Sequence, residues 1–536
     1  MRRDLDTEAR PRAPSRFSST GAWVAIGLVA FLLLDAASRH FVAGNSDGAT
    51  VVLEGQSLAK GHLLLHGWSL SLDSFWSVDA IFYGLGVLVV GVRASLLNVV
   101  PAIIAALVVC IGMKMARDNR AGLSAYVGPA IVFVVLAFPT PTMAYFFVQG
   151  PLHVATALWC LGAFFLLSRN RLGWSWALAV VLLAAGILGD LQTIALGVAP
   201  VFLAGLLAMA RRRNWRAGIN ALGAALSSIV LAVILRAVAT AIGTFSVGKI
   251  NPLAPAPEMR ENLRLLASRA IGLLGIGNLP GGLVPEPTIV QVLYVVALVV
   301  FVSGILVALY QLIRAIIEGP RAEKDAREPW RLDDMLVIAF IVDLVAFVAL
   351  AYSTDATFAR YLTAGIIFGT ILAARTMGQL VGNLRSAHLS RAIAIAGVVL
   401  AVGFAASFGF SFTLQAPGQT ATPLGAFLAS HQLNDGVGDY WSSSIVTVET
   451  GGTVDVRPVI CDDAGVLVRY NVQSEGSWYK GKAFHFLVYN LAVPWGNVDT
   501  ACATTTFGPP TETYSVGTYR VLLWNHPIRF SSIGAH

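Results

Sequence analysis

AGNSDGATVVLEGQSLAKGHLLLHGWSLSLDSFWSVDAIFYGLG, residues Ala43 to Gly86, is the first polar stretch after the first apolar run of the chain. It sets four carboxylates, Asp47, Glu54, Asp73 and Asp79, among weakly apolar helical patterns and the rings of Trp68, Trp76 and Tyr83. Rings with one polar edge anchor at membrane–water boundaries. Asp47 opens an expected helix, and Glu54 follows two turns along the same face. Acidic groups held at a bilayer surface beside an apolar core suit general-base chemistry on a lipid-borne substrate. The plainer reading is a cap: Asn45, Ser46 and Asp47 all accept hydrogen bonds from the first free N–H groups of a helix.

The rest of the chain decides what surrounds that stretch. Of its 536 residues, 56% are hydrophobic and only 12% charged, with long tracts holding no charge at all. That composition indicates a polytopic helical membrane protein, because backbone polar groups in lipid must be satisfied within the helix. The net charge of +7 is no nucleic-acid footprint, since the arginines fall in short clusters between apolar runs. Residues 1–20, basic and without a small-residue cleavage site after the first apolar run, read as a cytoplasmic tail ahead of a retained span.

About eleven spans are expected within 21–411: residues 21–38, 95–115, 122–140, 152–168, two shorter ones in 174–210, then 219–242, 289–313, 334–352, 361–380 and 391–411. Ser77 to Gly91 is apolar yet contains Asp79, and reads as an interfacial helix. Counting it as a span would put Arg117 and Arg120 outside. With this count every arginine-rich loop lies inside, while Asp47, Asp190 and Asp355 lie outside, with two large outer segments at 39–94 and 243–288. Residues 412–536 alternate differently. SSIVTVET, TVDVRPVI, GVLVRYNV, AFHFLVYN and TYRVLLW read as strands of an extracytoplasmic β-rich domain long enough for its own core. Cys110 and Cys160 sit in spans as small core residues. Cys461 and Cys502 are the only cysteines of that domain, and either pair in an oxidising compartment or stay as buried thiols.

No phosphate-binding loop, dinucleotide fingerprint, zinc spacing or nucleophile elbow occurs, so any chemistry must come from acidic and basic groups converging at the outer surface. Asp47 is the candidate base. His153 opens a span at the outer face, where it could orient a substrate or be an ordinary interfacial residue. Asp190, in the turn Gly189-Asp190-Leu191-Gln192, could pair with Arg236 or Arg360 or merely cap its turn. Arg236 lies within a span, which is costly unless it is paired or lines a cavity. Asp343 is deeper and calls for a structural partner. Arg360, beside Tyr361 at the mouth of a span, could hold a phosphate through two parallel hydrogen bonds.

These residues resemble those of the polytopic C-type (GT-C) glycosyltransferases that use polyprenyl-phosphate sugars, such as protein mannosyltransferases and bacterial aminoarabinose transferases. In that family an acidic residue opens a helix soon after the first span, and SDGATVVLEGQSLAKG places Asp47 there. The family's Arg-Tyr-Leu at the start of a late span is matched by Arg360-Tyr361-Leu362. DSFWSVDAIFYGLG stands where the family commonly carries His-Pro-Pro-Leu, and Asp190-Leu191-Gln192 stands where many members carry a lysine.

The resemblance implies that Asp47 deprotonates an acceptor hydroxyl, which attacks the anomeric carbon of a polyprenyl-phosphate sugar with inversion. Arg360, and Arg236 with it, would stabilise the leaving phosphate, with Tyr361, His153, Asp190, Glu54 and Asp79 around the substrate. No cofactor is implied: arginines can neutralise a monophosphate leaving group, so the chemistry does not require a metal, which leaves a divalent cation open. The implied partners are the lipid-linked sugar, membrane lipids and a lipid, glycan or protein acceptor in the cell envelope. Two other readings compete, a flippase for lipid-linked glycans and a non-catalytic envelope scaffold. Transporters usually show internal repeats with polar groups in both halves. Here the polar groups gather at one face and no repeat is evident.

Overall fold

The computed structural model describes residues 16–117, 124–169, 173–210, 215–248, 253–277, 288–317, 332–351, 356–384, 386–414 and 421–530. Most of the expected basic loops, Asp355, and all but the last five residues of the 1–20 tail fall outside these ranges.

The first half runs α1 (Arg16–Phe41), α2 (Ser46–Ala59), β1 (Trp68–Leu70), α3 (Ala80–Val90), α4 (Leu96–Arg117), α5 (Ser124–Ala137) and α6 (Pro141–Phe147). It continues with α7 (Val154–Leu167), α8 (Trp174–Gly189), a π turn at Ile194–Val198, α9 (Ala199–Ala210), α10 (Trp215–Ala241) and β2 (Ser246–Val247). Next come α11 (Ala256–Leu273), α12 (Thr288–Ile317), α13 (Leu332–Ala349), a 3-10 turn at Ala356–Leu362, α14 (Thr363–Gly382) and α15 (Ala387–Ser411).

Among the described residues six helices are long and apolar enough to cross a membrane, within α1, α4, α10, α12, α14 and α15. A seventh crossing is made if α5 and α6, bent by 87° at Phe138-Pro139-Thr140, count as one. This is an integral membrane protein. The expected count of eleven rests further on α7, α8 and α9, which are shorter, and on α13, which carries Asp333, Asp334 and Asp343. Asp343 has the structural partner its depth calls for: its Oδ2 accepts from the Gly365 N–H at 3.1 Å.

The opening stretch forms a helical hairpin at one end of the bundle. Asn45, extended at φ −139°, caps α2 by accepting from the Gly48 N–H. Helix α3 crosses α2 so closely that a Cβ on Gly55 would lie 2.7 Å from the Gly84 nitrogen, a backbone contact that cannot yield. Between the two helices β1 forms the middle of a three-stranded sheet, parallel to β2 and antiparallel to β6 (Ser474–Glu475). Ser69 and Ser246 share a hydroxyl hydrogen bond of 2.9 Å across it.

The C-terminal region contains α16 (Thr422–Ser430), β3 (Asp435–Gly438), α17 (Ser444–Glu449), β4 (Asp455–Cys461), β5 (Leu467–Arg469), β6, β7 (Phe484–Asn490), α18 (Thr500–Phe507), β8 (Glu512–Val516) and β9 (Tyr519–Ile528). Six strands form one mixed sheet in the order β5-β4-β3-β7-β9-β8. The segment SSIVTVET, expected as a strand, is helical. Its β-branched residues favour a strand, but β3 and β4 pair in parallel, and parallel neighbours need a crossover connection. Helix α17 is that crossover, with Ser444 to Val448 all buried. A disulfide joins Cys461 on β4 to Cys502 on α18 across 41 residues, a closure contributing about 4 kcal/mol in the chain-entropy account.

Candidate active site

Because Asn45 takes the cap, the Asp47 carboxylate is left to face elsewhere. It faces the C-terminal region, where the Tyr440 hydroxyl donates to Asp47 Oδ1. Tyr440 is held by its neighbour. Asp439 accepts from the Ser442 N–H at 3.0 Å, the Ser442 hydroxyl at 2.9 Å and the Asn490 N–H at 2.8 Å, which fixes a tight turn at the end of β3. The two parts dock again where the Thr50 hydroxyl donates to Ser444 Oγ at 3.0 Å. Burial raises the Asp47 pKa above the ordinary aspartate value, while the Tyr440 hydrogen bond and the Arg360 charge hold it down. The result is a carboxylate more basic than one in water, kept ionisable by two partners.

Arg360 lies in the 3-10 turn ahead of α14, its guanidinium 5.1 Å from the Phe358 ring centroid and 5.0 Å from that of Tyr361. Among the described residues its one hydrogen bond is a long one to the Tyr361 hydroxyl, 3.5 Å, and its buried Nε has no acceptor. Among the described residues it forms no ion pair. Its charge acts on Asp47, Asp73, His153 and Tyr145, so it stands central among them. Tyr361 continues the wall, its ring 5.0 Å from that of His153.

His153 and Phe75 both occupy left-handed backbone, φ 66° and 53°, which costs a residue other than glycine about 1–3 kcal/mol. Their rings lie 5.5 Å apart. His153 Nδ1 is 2.7 Å from Asp190 Oδ2, the Thr156 hydroxyl donates to that oxygen, and the Gln192 N–H donates to Oδ1 at 2.9 Å. Asp190 therefore pairs with histidine, not with Arg236 or Arg360. Burial opposes both charges, but the His153 ring, its hydrogen bond and the Thr156 and Gln192 donors hold Asp190 below its usual value. Asp73 joins them, pushed up to about 6 by burial and then by repulsion from Asp190. Nothing local singles out Asp73 from its stretch, since its partners lie far along the chain.

Ligand atoms of Asp73, His153 and Asp190 all lie within 4.8 Å of one another. Two carboxylates and an imidazole suit a divalent cation of the zinc or manganese kind. The same atoms are also satisfied as an ion pair with hydroxyl and amide donors.

Glu54 and Asp79 form a second rank behind this cluster. Asp79 precedes α3 without capping it, and its Oδ2, like Glu54 Oε2, has no hydrogen-bond partner among the described residues. Burial, followed by repulsion from Asp190, pushes Asp79 up to about 8, and burial with repulsion from Asp79 raises Glu54 well above its usual value. Glu54 faces α3, toward Asp79, instead of joining Asp47. Arg236 is not part of the constellation. Its guanidinium lies 4.7 Å over the Phe245 ring, and it donates to the Phe245 carbonyl at 3.5 Å. Its position near a span end was legible in the sequence, but the helix turns that side chain away.

No protein-family model matches the chain, and no curated protein matches it. It is similar to the solved oligosaccharyltransferase of Archaeoglobus fulgidus in complex with zinc and sulfate, with a TM-score of 0.47, 13% identity, and coverage of 91% of this chain and 70% of that one. It is also similar to ArnT from Cupriavidus metallidurans bound to undecaprenyl phosphate, with a TM-score of 0.48, 13% identity, and coverage of 95% of this chain and 98% of that one. For ArnT in the apo state the TM-score is 0.42 at 14% identity, over 94% of this chain and 98% of that one.

Proposed function

We propose that the protein is a membrane glycosyltransferase that moves a sugar from a polyprenyl-phosphate donor to a cell-envelope acceptor on the extracytoplasmic side. One observation carries this reading: a desolvated carboxylate, Asp47, converges with a guanidinium that forms no ion pair among the described residues, Arg360, where the helices meet the C-terminal region. General-base transfer from a phosphate-bearing lipid needs those two groups and little else.

Asp47 takes the proton of the acceptor hydroxyl as its oxygen attacks the anomeric carbon. The bond from that carbon to the phosphate oxygen breaks, and the polyprenyl phosphate departs with the electron pair. A single displacement inverts the anomeric centre. Arg360 binds the phosphate and stabilises the negative charge that gathers on it, a differential interaction because the charge grows toward the transition state. Tyr361 and the His153–Asp190 pair form the wall that fixes Arg360, and the polyprenyl chain lies among the helices in the membrane. The orientation follows from the arginine-rich loops of the sequence, which belong on the cytoplasmic side.

The test is transfer by purified protein in liposomes containing polyprenyl-phosphate sugars and a cell-envelope extract, read by mass spectrometry of the glycans. Asp47→Asn keeps the Tyr440 contact and removes the base, so product should fall at least a thousandfold while donor binding remains. Full transfer by that variant would exclude the reading. Vectorial movement of the donor without transfer would identify a flippase.

A further inference from the structure

Four aromatic rings of the C-terminal region stand apart from its apolar core and next to the candidate base. Tyr440 lies 4.9 Å from Trp441, 5.4 Å from Tyr470 and 5.5 Å from Trp495, and Tyr470 meets Trp495 edge to face at 4.8 Å. None of the four belongs to the contiguous hydrophobic core, which is built from Phe484, Phe486, Tyr479 and their neighbours. Trp441, Tyr470 and Trp495 are each only half-buried, so ring surface remains open to solvent. Rings gathered for packing alone would all be sealed inside; Tyr440 is buried at the base of the group, and the other three are displayed.

Apart from the Asp47 carboxylate at the inner end, the hydrogen-bonding groups that edge the rings are neutral. Gln473 sits against the Tyr440 hydroxyl, and its amide reaches Ser71 Oγ at 3.5 Å. Gln473 holds left-handed backbone at φ 50°, a conformation unfavourable to glutamine, to keep its amide there. The Trp495 turn is pinned as well. The Cys461 N–H donates to the Gly496 carbonyl at 2.8 Å, and Cys461 is itself bound to Cys502. Aromatic faces, an uncharged amide rim, strained backbone and a braced loop together describe a prepared binding surface.

Resting on the glycosyltransferase reading above, we propose that this quartet is the acceptor subsite and that the acceptor is a sugar residue of a glycan. A sugar ring offers an apolar face of C–H bonds and a rim of hydroxyls, which matches open aromatic faces edged by neutral donors and acceptors. Stacked there, the ring presents a hydroxyl toward Asp47, which Tyr440 links directly to the quartet. The recognition is by shape and neutral polarity, so it selects a carbohydrate over an anionic headgroup.

Binding is measured on the purified full chain without donor, by tryptophan fluorescence and calorimetry. The probes are linear tetrasaccharides of mannose, glucose, galactose and arabinose, with a serine- and threonine-rich peptide for comparison. At least one tetrasaccharide should bind, with affinity about tenfold weaker in Trp495→Ala and in Tyr470→Ala, and close to wild type in Trp495→Phe. Binding of undecaprenyl phosphate should not change in these variants. Two independent alanine variants guard against a local folding defect in either one. Equal sugar affinity in all variants, binding of the peptide alone, or no binding of any tetrasaccharide would overturn the proposal. Because no donor is present, loss of transfer with sugar binding intact would count against the Asp47 chemistry and leave the subsite standing.

Discussion

Tyr440→Phe is the most informative single change, because it removes one atom from the site and leaves the ring in place. The hydroxyl donates to Asp47 Oδ1, and that bond together with Arg360 counters the burial that raises the Asp47 pKa. A hydrogen bond to a charged group is worth about 1.5–3 kcal/mol. With 1.4 kcal/mol equal to a factor of ten, kcat/KM should fall roughly ten- to a hundredfold. The sign of the pH effect follows. A base works as its carboxylate, above its pKa; losing a donor to the carboxylate moves that pKa up, so the acid limb of the kcat/KM profile should shift to higher pH. Activity should be recovered in part at alkaline pH, a recovery that a folding defect would not show. The assay is transfer from the lipid-linked donor between about pH 5 and 9, with thermal unfolding as the control. A wild-type profile in Tyr440→Phe would refute the assignment of Asp47 as base or of Tyr440 as its partner.

Other outcomes follow from the same geometry. Arg360→Ala should lose about ten- to a hundredfold in transfer, and Arg360→Lys less, because an ammonium keeps the charge without the planar fork; wild-type donor affinity in Arg360→Ala would mark the arginine as an interfacial anchor. Asp73 titrates near 6 and its charge opposes a phosphate at Arg360. The donor is a phosphodiester with no titration in this range, so its KM should rise as pH increases through about 6 in the wild type and stay flat in Asp73→Asn. Chelator treatment should leave transfer unchanged if Arg360 alone neutralises the phosphate, whereas loss restored by manganese and abolished by His153→Ala would place an ion at Asp73, His153 and Asp190.

What the sequence disclosed and what it hid differ by the range of the forces involved. Span positions and the α2 helix behind Asp47 are local matters of hydropathy and capping, and residue patterns report them. The Arg360-Tyr361 turn could be located, but not that its guanidinium would form no ion pair among the described residues. Tyr440 was hidden: it bonds a carboxylate 393 residues away, and no local pattern encodes such a pairing. The same holds for the His153–Asp190 contact, since each was visible as a polar residue at a span end without its mate. Arg236 shows the limit from the other side, because depth along a helix is readable and the direction a side chain faces is not. Strand β3, read off as Asp-Gly-Val-Gly, carries no strand signal; its glycines are required because a Cβ at Gly436 would fall 2.2 Å from the Phe486 ring.

The three-stranded sheet has a meaning in time. Its middle strand β1 emerges early from the ribosome, β2 follows after α10, and β6 arrives only when every membrane helix has been made. Domains consolidate in roughly the order of synthesis, so α2 and Asp47 are in place long before the last strand and Tyr440 exist. A nascent chain therefore holds a carboxylate without its partner and an open sheet edge where β6 will pair. The Asp47–Tyr440 contact is completed in one late event, when the final segment is delivered and docks. A chain stalled before that point keeps an unfilled edge beside β1, where β6 would pair.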